Sequence, residues 1–334
     1  MCMSPSSDSG EPANAAAGID AAADETQLRE GFERAVQTIR TAGRGGTQAA
    51  ELAAGWSAVL RAVTASAVRL VAVDAPWSWL VSGSVARGEA VPGSDVETLI
   101  VAADDADTAA LQAAAADVHA LLERCGVRVD ANGVLASRTR FCRTQPAWVE
   151  AIGRWAADPR DDRGVVMTGV LADASVVFGP LPEDTLRARV VAAVRANYPV
   201  RQHMLHDATT LRAAVPSRLK ILATQSDTVD LKAAAVDPVV KIARWAALSA
   251  GSTATSTMVR LDAASNILDA EDISSLRECF IWLLKFRWDP SREGDVIALS
   301  TLAPQQRAML RSVAREVAGI GRKLTFLAST SAFR

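Results

Sequence analysis

Apolar residues recur at helical spacing near both ends of the chain. In the segment 26–40, Leu28, Phe32, Val36 and Ile39 follow one another at steps of three or four residues, which is typical of one face of a helix. The same spacing continues after Pro304 through Leu310, Val313, Val317, Ile320, Leu324 and Leu327. These stripes predict helices that pack against the interior of the protein rather than a long coiled coil.

Short apolar segments between these helices predict strands. Residues 77–83 (WSWLVSG) and 94–102 (SDVETLIVA) have the length and composition of strands, and 127–137 is a third candidate. Pro92-Gly93, between the first two strands, suits the central positions of a type II turn. An Ala-rich helical stretch at 47–72 precedes them. This alternation indicates an α/β domain.

The second half of the chain is predominantly helical. Gly179-Pro180 indicates a domain boundary, and later Asp237 as N-cap, Pro238 at the first helical position and Gly251 just past the end predict one helix with clear limits. Residues 1–24 are rich in Ser, Gly, Pro, Asp and Ala, so we expect a flexible tail.

Composition and charge exclude several classes of protein. With 334 residues, 49% hydrophobic and 22% charged, the chain is long enough for two globular domains. A net charge of -2 provides no general attraction for nucleic acid or an anionic membrane, and no segment approaches the ~18 apolar residues of a membrane span. The four cysteines, at 2, 125, 142 and 279, have neither disulfide nor metal-site spacing, which favours reduced thiols and a cytoplasmic location.

The candidate catalytic residues lie in one stretch of the chain. It consists of SGSVARGE at 82–89, followed after a short connection by PGSDVE at 92–97. In a strand, Asp95 and Glu97 project from the same face, because residues two apart share a face. Two adjacent carboxylates favour a cation between them, and oxygen ligands with open positions suit Mg²⁺ bound partly through substrate phosphates. Gly83 lets the backbone approach a phosphate, and Ser84 can help to hold it.

The pairing of G-S-x-A-R-G-E with P-G-S-D-x-E resembles the nucleotidyltransferases of the DNA polymerase β superfamily. The likeness is to bacterial members related to the N-terminal part of the protein-PII uridylyltransferase, which carry a C-terminal helical substrate-binding domain. Residues 229–261 resemble that domain. The resemblance implies an α/β (α+β) nucleotidyltransferase domain with a small mixed sheet at 25–180, followed by an α-helical bundle domain at 185–330. A Glu stands at position 97 where a second Asp is commoner.

The resemblance also implies roles for individual residues. Asp95 and Glu97 would bind Mg²⁺ or Mn²⁺, and a third carboxylate would join them. Asp130 is the first choice for that carboxylate and Asp173 the alternative. The expected nucleotide-binding residues are Gly83, Ser84, Arg87 and Ser94.

The roles of several residues have two interpretations. Arg87 either binds phosphate or braces Glu89 or Asp95. In the helical domain, Lys232, Arg244 and Arg260 are candidates for substrate binding, although single basic residues are more often solvated. The three histidines do not have the spacing of a metal site, so we expect them at ordinary surface or core positions.

The expected function is Mg²⁺-dependent transfer of a nucleoside monophosphate from an NTP to an acceptor hydroxyl, with release of pyrophosphate. A protein or small-molecule acceptor is favoured over nucleic acid because the charge is near neutral. The alternative is a catalytically weak or inactive nucleotide-binding module that regulates or recruits other proteins.

Overall fold

The computed structural model describes residues 12–71, 77–130, 132–210, 215, 227–288 and 294–331. The chain divides into two compact units. Unit 1 contains residues 1–151 and 173–186, and unit 2 contains residues 152–172 and 187–334. The segment 152–172 therefore belongs to unit 2, ahead of the single boundary that we expected at 180–185.

Unit 1 consists of helices around a small sheet. Its elements are α1 (Glu25–Arg44), α2 (Ala49–Val71), β1 (Trp77–Ser82), α3 (Gly83–Arg87), β2 (Glu97–Ala102), α4 (Thr108–Arg124), β3 (Cys142–Thr144) and β4 (Ser175–Phe178). Helix α5 (Gln145–Ala157) begins in unit 1 and ends in unit 2.

The sheet of unit 1 is mixed, with strand order β3-β2-β1-β4. Strand β1 is antiparallel to both β2 and β4, whereas β3 is parallel to β2. Every residue of β1 is buried, and so are all residues of β2 after Glu97. The two central strands are therefore covered on both faces, and Glu97 lies at the one end of β2 that reaches solvent.

A buried polar contact joins β2 to helix α4. The imidazole Nε2 of His119 lies 2.9 Å from the hydroxyl of Thr98, and the same hydroxyl accepts a hydrogen bond from the amide of Ala136. The His119 ring also contacts the edge of Trp79. Burial lowers the pKa of His119 to about 4. This histidine is structural, in agreement with the ordinary reading of the sequence.

The prediction of a flexible tail at 1–24 is wrong for its second half. Residues 1–11 lie outside the described residues, but Pro12–Asn14 form a 3-10 turn, and Ile19 is fully buried. The hydroxyl of Ser66 in α2 donates to the carbonyl of Ile19. A few apolar side chains among small polar residues are thus enough to hold this segment against α2.

The third predicted strand is also wrong. Among the described residues of 127–137 the structure shows only an isolated parallel bridge between Val129 and Val96, and the strand beside β2 is instead β3. Before the expected domain boundary, the chain forms helix α6 (Gly164–Ala172) and then strand β4.

Within its described residues, unit 2 is helical apart from one pair of short strands. Its further elements are α7 (Thr185–Ala196), α8 (Tyr198–Thr209), β5 (Thr228–Asp230), α9 (Asp237–Ala250), α10 (Thr257–Ala263), α11 (Ala270–Arg287), β6 (Val296–Ala298) and α12 (Pro304–Ser331). Together with unit 1, this confirms the expected α/β domain with a small mixed sheet followed by a helical domain.

Helix α9 ends as predicted but does not begin as predicted. Gly251 caps its C-terminus in the left-handed conformation, with its amide bonded to carbonyls of the last turn. A π-helical turn, Lys232–Val236, runs directly into the helix, so Asp237 has helical backbone angles instead of acting as N-cap.

Two expectations about the whole chain concern membranes and thiols. None of the helices in the described ranges combines the length and apolar character needed to cross a bilayer. Cys125, Cys142 and Cys279 are free and buried, and Cys2 lies outside the described residues. A cytoplasmic location stays a prediction.

The low pKa of His119 makes stability depend on pH. Below pH ~6.5 the unfolded chain takes up a proton that the folded protein resists until pH ~4, so the free energy of unfolding falls as the pH drops through this range. Between pH 7 and 4.5 the wild type should lose about 2–3 kcal/mol more than His119→Gln. Urea unfolding at a series of pH values measures this difference. The exposed His206→Gln should follow the wild type; equal pH profiles for wild type and His119→Gln would contradict the prediction.

Candidate active site

The two predicted metal-binding carboxylates lie at the beginning of β2. Glu97 is its first residue and pairs with Ser82 of β1, while Asp95 lies two positions earlier. Both acidic residues are half-buried, whereas Val96 between them is fully buried. The alternation of a strand therefore places Asp95 and Glu97 on the same, accessible face, as the sequence predicted.

Gly83 brings the backbone of the Gly-Ser turn against the Glu97 carboxylate. Gly83 has a φ of +64°, and a Cβ at this position would lie 2.9 Å from Cδ of Glu97. Only glycine combines this conformation with room for the carboxylate. Ser84 follows in the first turn of α3 and is half-buried. The structure thus brings Gly83 and Ser84 together with Glu97.

The connection between the turn and β2 is fixed by hydrogen bonds. The amide of Ser94 donates to the carbonyl of Val91 at 2.9 Å, and Gly93 has a φ of +91°. These features confirm the type II turn predicted at Pro92-Gly93. The Ser94 hydroxyl accepts from the Val91 amide, so it braces this turn. Its predicted contact with nucleotide stays a prediction.

Helix α2 supports the same connection from behind, and no sequence pattern predicts this. The indole of Trp56 donates to the carbonyl of Val91, and the hydroxyl of Ser57 accepts from the amide of Ala90. Both side chains are buried. A tryptophan and a serine in an Ala-rich helix resemble ordinary core residues, so no local signal distinguishes them.

Arg87 is a brace. Its Nε donates to Glu89 at 2.7 Å, and one Nη donates to Asp173. The Arg87 side chain is only 9% exposed. Burial disfavours its charge, but the carboxylates of Asp173 and Glu89 outweigh burial and raise the pKa of Arg87 above its ordinary value. Of the two readings of Arg87, the structure shows the structural one, with Asp173 rather than Asp95 as the second partner.

The backbone of Asp130 lies where we expected a third metal-binding residue, but its carboxylate makes different contacts. Its amide donates to the carbonyl of Val96, so its backbone lies beside the start of β2. Its carboxylate, however, accepts from the amides of Asn132 at 2.8 Å and Val134 at 2.6 Å, and it is 3% exposed. The Asp130 carboxylate therefore stabilises the loop that follows it.

The expected third carboxylate does not join the pair. In the ranges that the structure describes, no three Asp, Glu, His or Cys side chains are grouped so that they could hold one metal ion. Asp173, the alternative choice, is buried against Arg87. This corrects the expectation for both Asp130 and Asp173 and leaves Asp95 and Glu97 as the candidate metal ligands.

The predicted substrate-binding residues of unit 2 have different environments. Arg260 is fully buried and donates to the carbonyls of Ala254 and Ala172, which corrects the expectation that it binds substrate. Arg244 is half-buried, and Lys232 is exposed on the π-helical turn. For these two, substrate binding stays a prediction.

Removing the Arg87 guanidinium should destabilise unit 1 severely. Arg87→Met leaves Glu89 and Asp173 buried without their shared partner, which costs about 3–5 kcal/mol in the free energy of unfolding. Urea unfolding measures the loss. Arg124→Met is the matched control, because Arg124 makes a two-point ion pair with Glu25 on the surface, where such pairs contribute little. Similar losses for the two variants would contradict the bracing role.

Comparison with known families agrees with this geometry. Residues 33–162 match a family model described as "Putative nucleotidyltransferase DUF294", and residues 199–326 match one described as "Putative nucleotidyltransferase substrate binding domain". Among curated proteins, the search finds no match. The two matched ranges together span more than half of the chain, which therefore belongs to the DUF294 nucleotidyltransferase family and carries its substrate-binding domain.

Proposed function

We propose that the protein transfers a nucleoside monophosphate from an NTP to an acceptor hydroxyl and releases pyrophosphate. The observation that carries this proposal is the close approach of the Glu97 carboxylate to Gly83, at the end of β2 where Asp95 is also accessible. A carboxylate pair beside a glycine turn provides cation binding and phosphate binding at one place.

The donor set suits Mg²⁺ or Mn²⁺. Mg²⁺ in proteins is commonly held by one or two carboxylates together with substrate phosphates and water, so Asp95 and Glu97 form a sufficient protein contribution. When bound, the metal would neutralise charge that develops on the transferring phosphoryl group.

The chain itself contributes position and rigidity to the proposed reaction. Gly83 admits the β- and γ-phosphates close to the backbone, and Ser84 offers an amide and a hydroxyl to them. Glu97 begins a strand whose other residues are buried, and Asp95 lies two residues before it, next to the fully buried Val96, so the backbone at both positions is held in place. In phosphoryl transfer, such positioning and charge stabilisation account for most of the catalysis.

The alternative, a catalytically weak or inactive nucleotide-binding module, is favoured by one observation. Both oxygens of the Asp130 carboxylate accept hydrogen bonds from its own loop, and among the described residues no third metal-binding side chain is grouped with Asp95 and Glu97. A third carboxylate that assists removal of the acceptor proton is therefore missing from the described arrangement.

Incubation with Mg²⁺ and each α-labelled NTP distinguishes the two functions. We expect release of pyrophosphate and label on an acceptor from a mixture of proteins and small hydroxyl compounds. NTP binding without pyrophosphate release across all acceptors would support the inactive module instead. Label on RNA would leave the reaction in place but contradict the predicted class of acceptor.

Asp95→Asn should reduce transfer by about 100-fold or more, because an amide replaces a charged metal ligand. The fold should be retained, since residue 95 lies before the strand and is half-buried. Initial rates of pyrophosphate release measure the effect, and the exposed Asp105→Asn is the control. Full activity of Asp95→Asn would rule out this mechanism.

Gly83→Ala should lower activity because its Cβ would displace the Glu97 carboxylate. Gly88→Ala is a matched control: Gly88 also has a positive φ, +74°, but a Cβ there meets no atom within 4 Å. Each variant places an L-residue in the left-handed region, at a cost of roughly 1–2 kcal/mol. We expect similar loss of stability for both but a fall in pyrophosphate release of at least about tenfold, ~1.4 kcal/mol, for Gly83→Ala alone. Equal activities would show that the contact with Glu97 is unimportant.

A further inference from the structure

The chain after α4 runs along β2 on the side away from β1. The amide of Val96 donates to the carbonyl of Arg128 at 2.9 Å, and the amide of Asp130 donates back to Val96 at 3.2 Å. One step further, the amide of Thr98 donates to the carbonyl of Val134 at 2.9 Å. The Asp95–Glu97 pair is thus flanked on one side by the Gly-Ser turn and on the other side by this segment.

Two exposed arginines, Arg128 and Arg138, belong to this segment. Arg128 is exposed, and its Nη1 lies 3.6 Å from the position of a Cβ on Gly93, two residues before Asp95. By the alternation around the Val96–Val129 bridge, Arg128 projects from the same face as Asp95 and Glu97.

The second arginine, Arg138, lies close to Gly133, which directly precedes the residue whose carbonyl accepts from the Thr98 amide. The exposed Arg138 places its guanidinium directly over Gly133, where any side chain would collide with it. Gly133 has a φ of +93°, a backbone conformation that favours glycine. The Arg138 guanidinium lies against the backbone at this glycine.

Neither guanidinium has a hydrogen-bonded or ion-pair partner in the part of the chain that the structure describes. Arg87 and Arg124 in the same unit are both paired with carboxylates. Solvated arginines are common on protein surfaces, but these two belong to the segment that runs beside the Asp95–Glu97 pair, and their side-chain donors are available to a ligand.

The in-line geometry of the proposed reaction indicates that the guanidinium donors of the two arginines bind the acceptor. In an in-line phosphoryl transfer the attacking and leaving oxygens lie on opposite sides of the phosphorus. If the departing phosphates are held at Gly83 and Ser84, the acceptor approaches from the side of β2 where Arg128 and Arg138 lie. Guanidinium groups bind phosphates and carboxylates through paired hydrogen bonds.

We propose that Arg128 and Arg138 bind an anionic group of the acceptor, which is a hydroxyl compound that carries a phosphate or a carboxylate. This inference rests on the proposed function, because the transfer reaction defines which side the acceptor occupies. It narrows the acceptor to one chemical class, hydroxyl compounds with an anionic group.

Binding of simple anions tests the site independently of turnover. With the full chain, Mg²⁺ and a saturating non-hydrolysable NTP analogue, titration calorimetry measures the affinity for inorganic phosphate and for acetate. We expect the wild type to bind one of them, and the double variant Arg128→Gln with Arg138→Gln to bind it at least about tenfold more weakly. The tighter ion identifies the anionic group.

The matched control is Arg34→Gln with Arg40→Gln, which removes two charges from exposed positions on α1. This control should bind as the wild type does. If the wild type binds neither ion, or if both double variants lose the same affinity, the inference is overturned.

Transfer assays separate this inference from the proposed function. Glycerol, glycerol 3-phosphate and glycerate form a set of hydroxyl acceptors that differ in the anionic group. We expect kcat/KM to favour a charged member and to fall in the Arg128→Gln, Arg138→Gln variant for that member only. Equal transfer to neutral glycerol would overturn the inference alone. Anion binding that depends on both arginines, without pyrophosphate release by the wild type, would overturn the proposed function alone.

Discussion

The register between β1 and β2 is the constraint on which the candidate site depends. Ser82 pairs with Glu97, and the apolar pair Leu80 and Leu99, fully buried further along the same two strands, fixes this alignment. A slip of one residue would turn Glu97 towards the face on which Val96 is buried. Apolar packing of the two central strands, rather than any polar contact at the site, therefore delivers the carboxylate to the Gly-Ser turn.

A buried charge cluster then fixes the other end of that turn. Asp173 precedes β4, and β4 pairs with β1 on the side opposite to β2, so the Arg87–Asp173 contact ties α3 to the neighbouring strand. The Arg87–Glu89 contact closes the chain just after α3. Burying three charged groups carries a desolvation cost that apolar side chains would avoid. In this geometry, the two ion pairs of Arg87 hold the turn in place relative to the sheet.

Elements that have an apolar pattern together with Pro, Gly or other turn residues at their ends could be predicted from the sequence. Strand β1, the Pro92-Gly93 turn and helix α12 follow from such signals, and Asp95, Glu97 and Gly83 follow from their spacing. Strand β3 could not be predicted, because its three residues, Cys142–Thr144, pair with β2 through backbone groups and have no periodic pattern. The braces Trp56 and Asp173 also depend on long-range contacts, for which a single sequence has no local signal.

Asp130 shows why position along a strand does not determine what a carboxylate binds. Its backbone lies beside Val96, where a third metal ligand would be expected, yet amides two and four residues later in its own loop take both carboxylate oxygens. Each hydrogen bond to a charged group is worth about 1.5–3 kcal/mol, so turning Asp130 towards Asp95 and Glu97 would require the loop itself to rearrange. Hydrogen bonds to its own loop thus account for the contacts of the Asp130 carboxylate, which the position of its backbone beside Val96 does not determine.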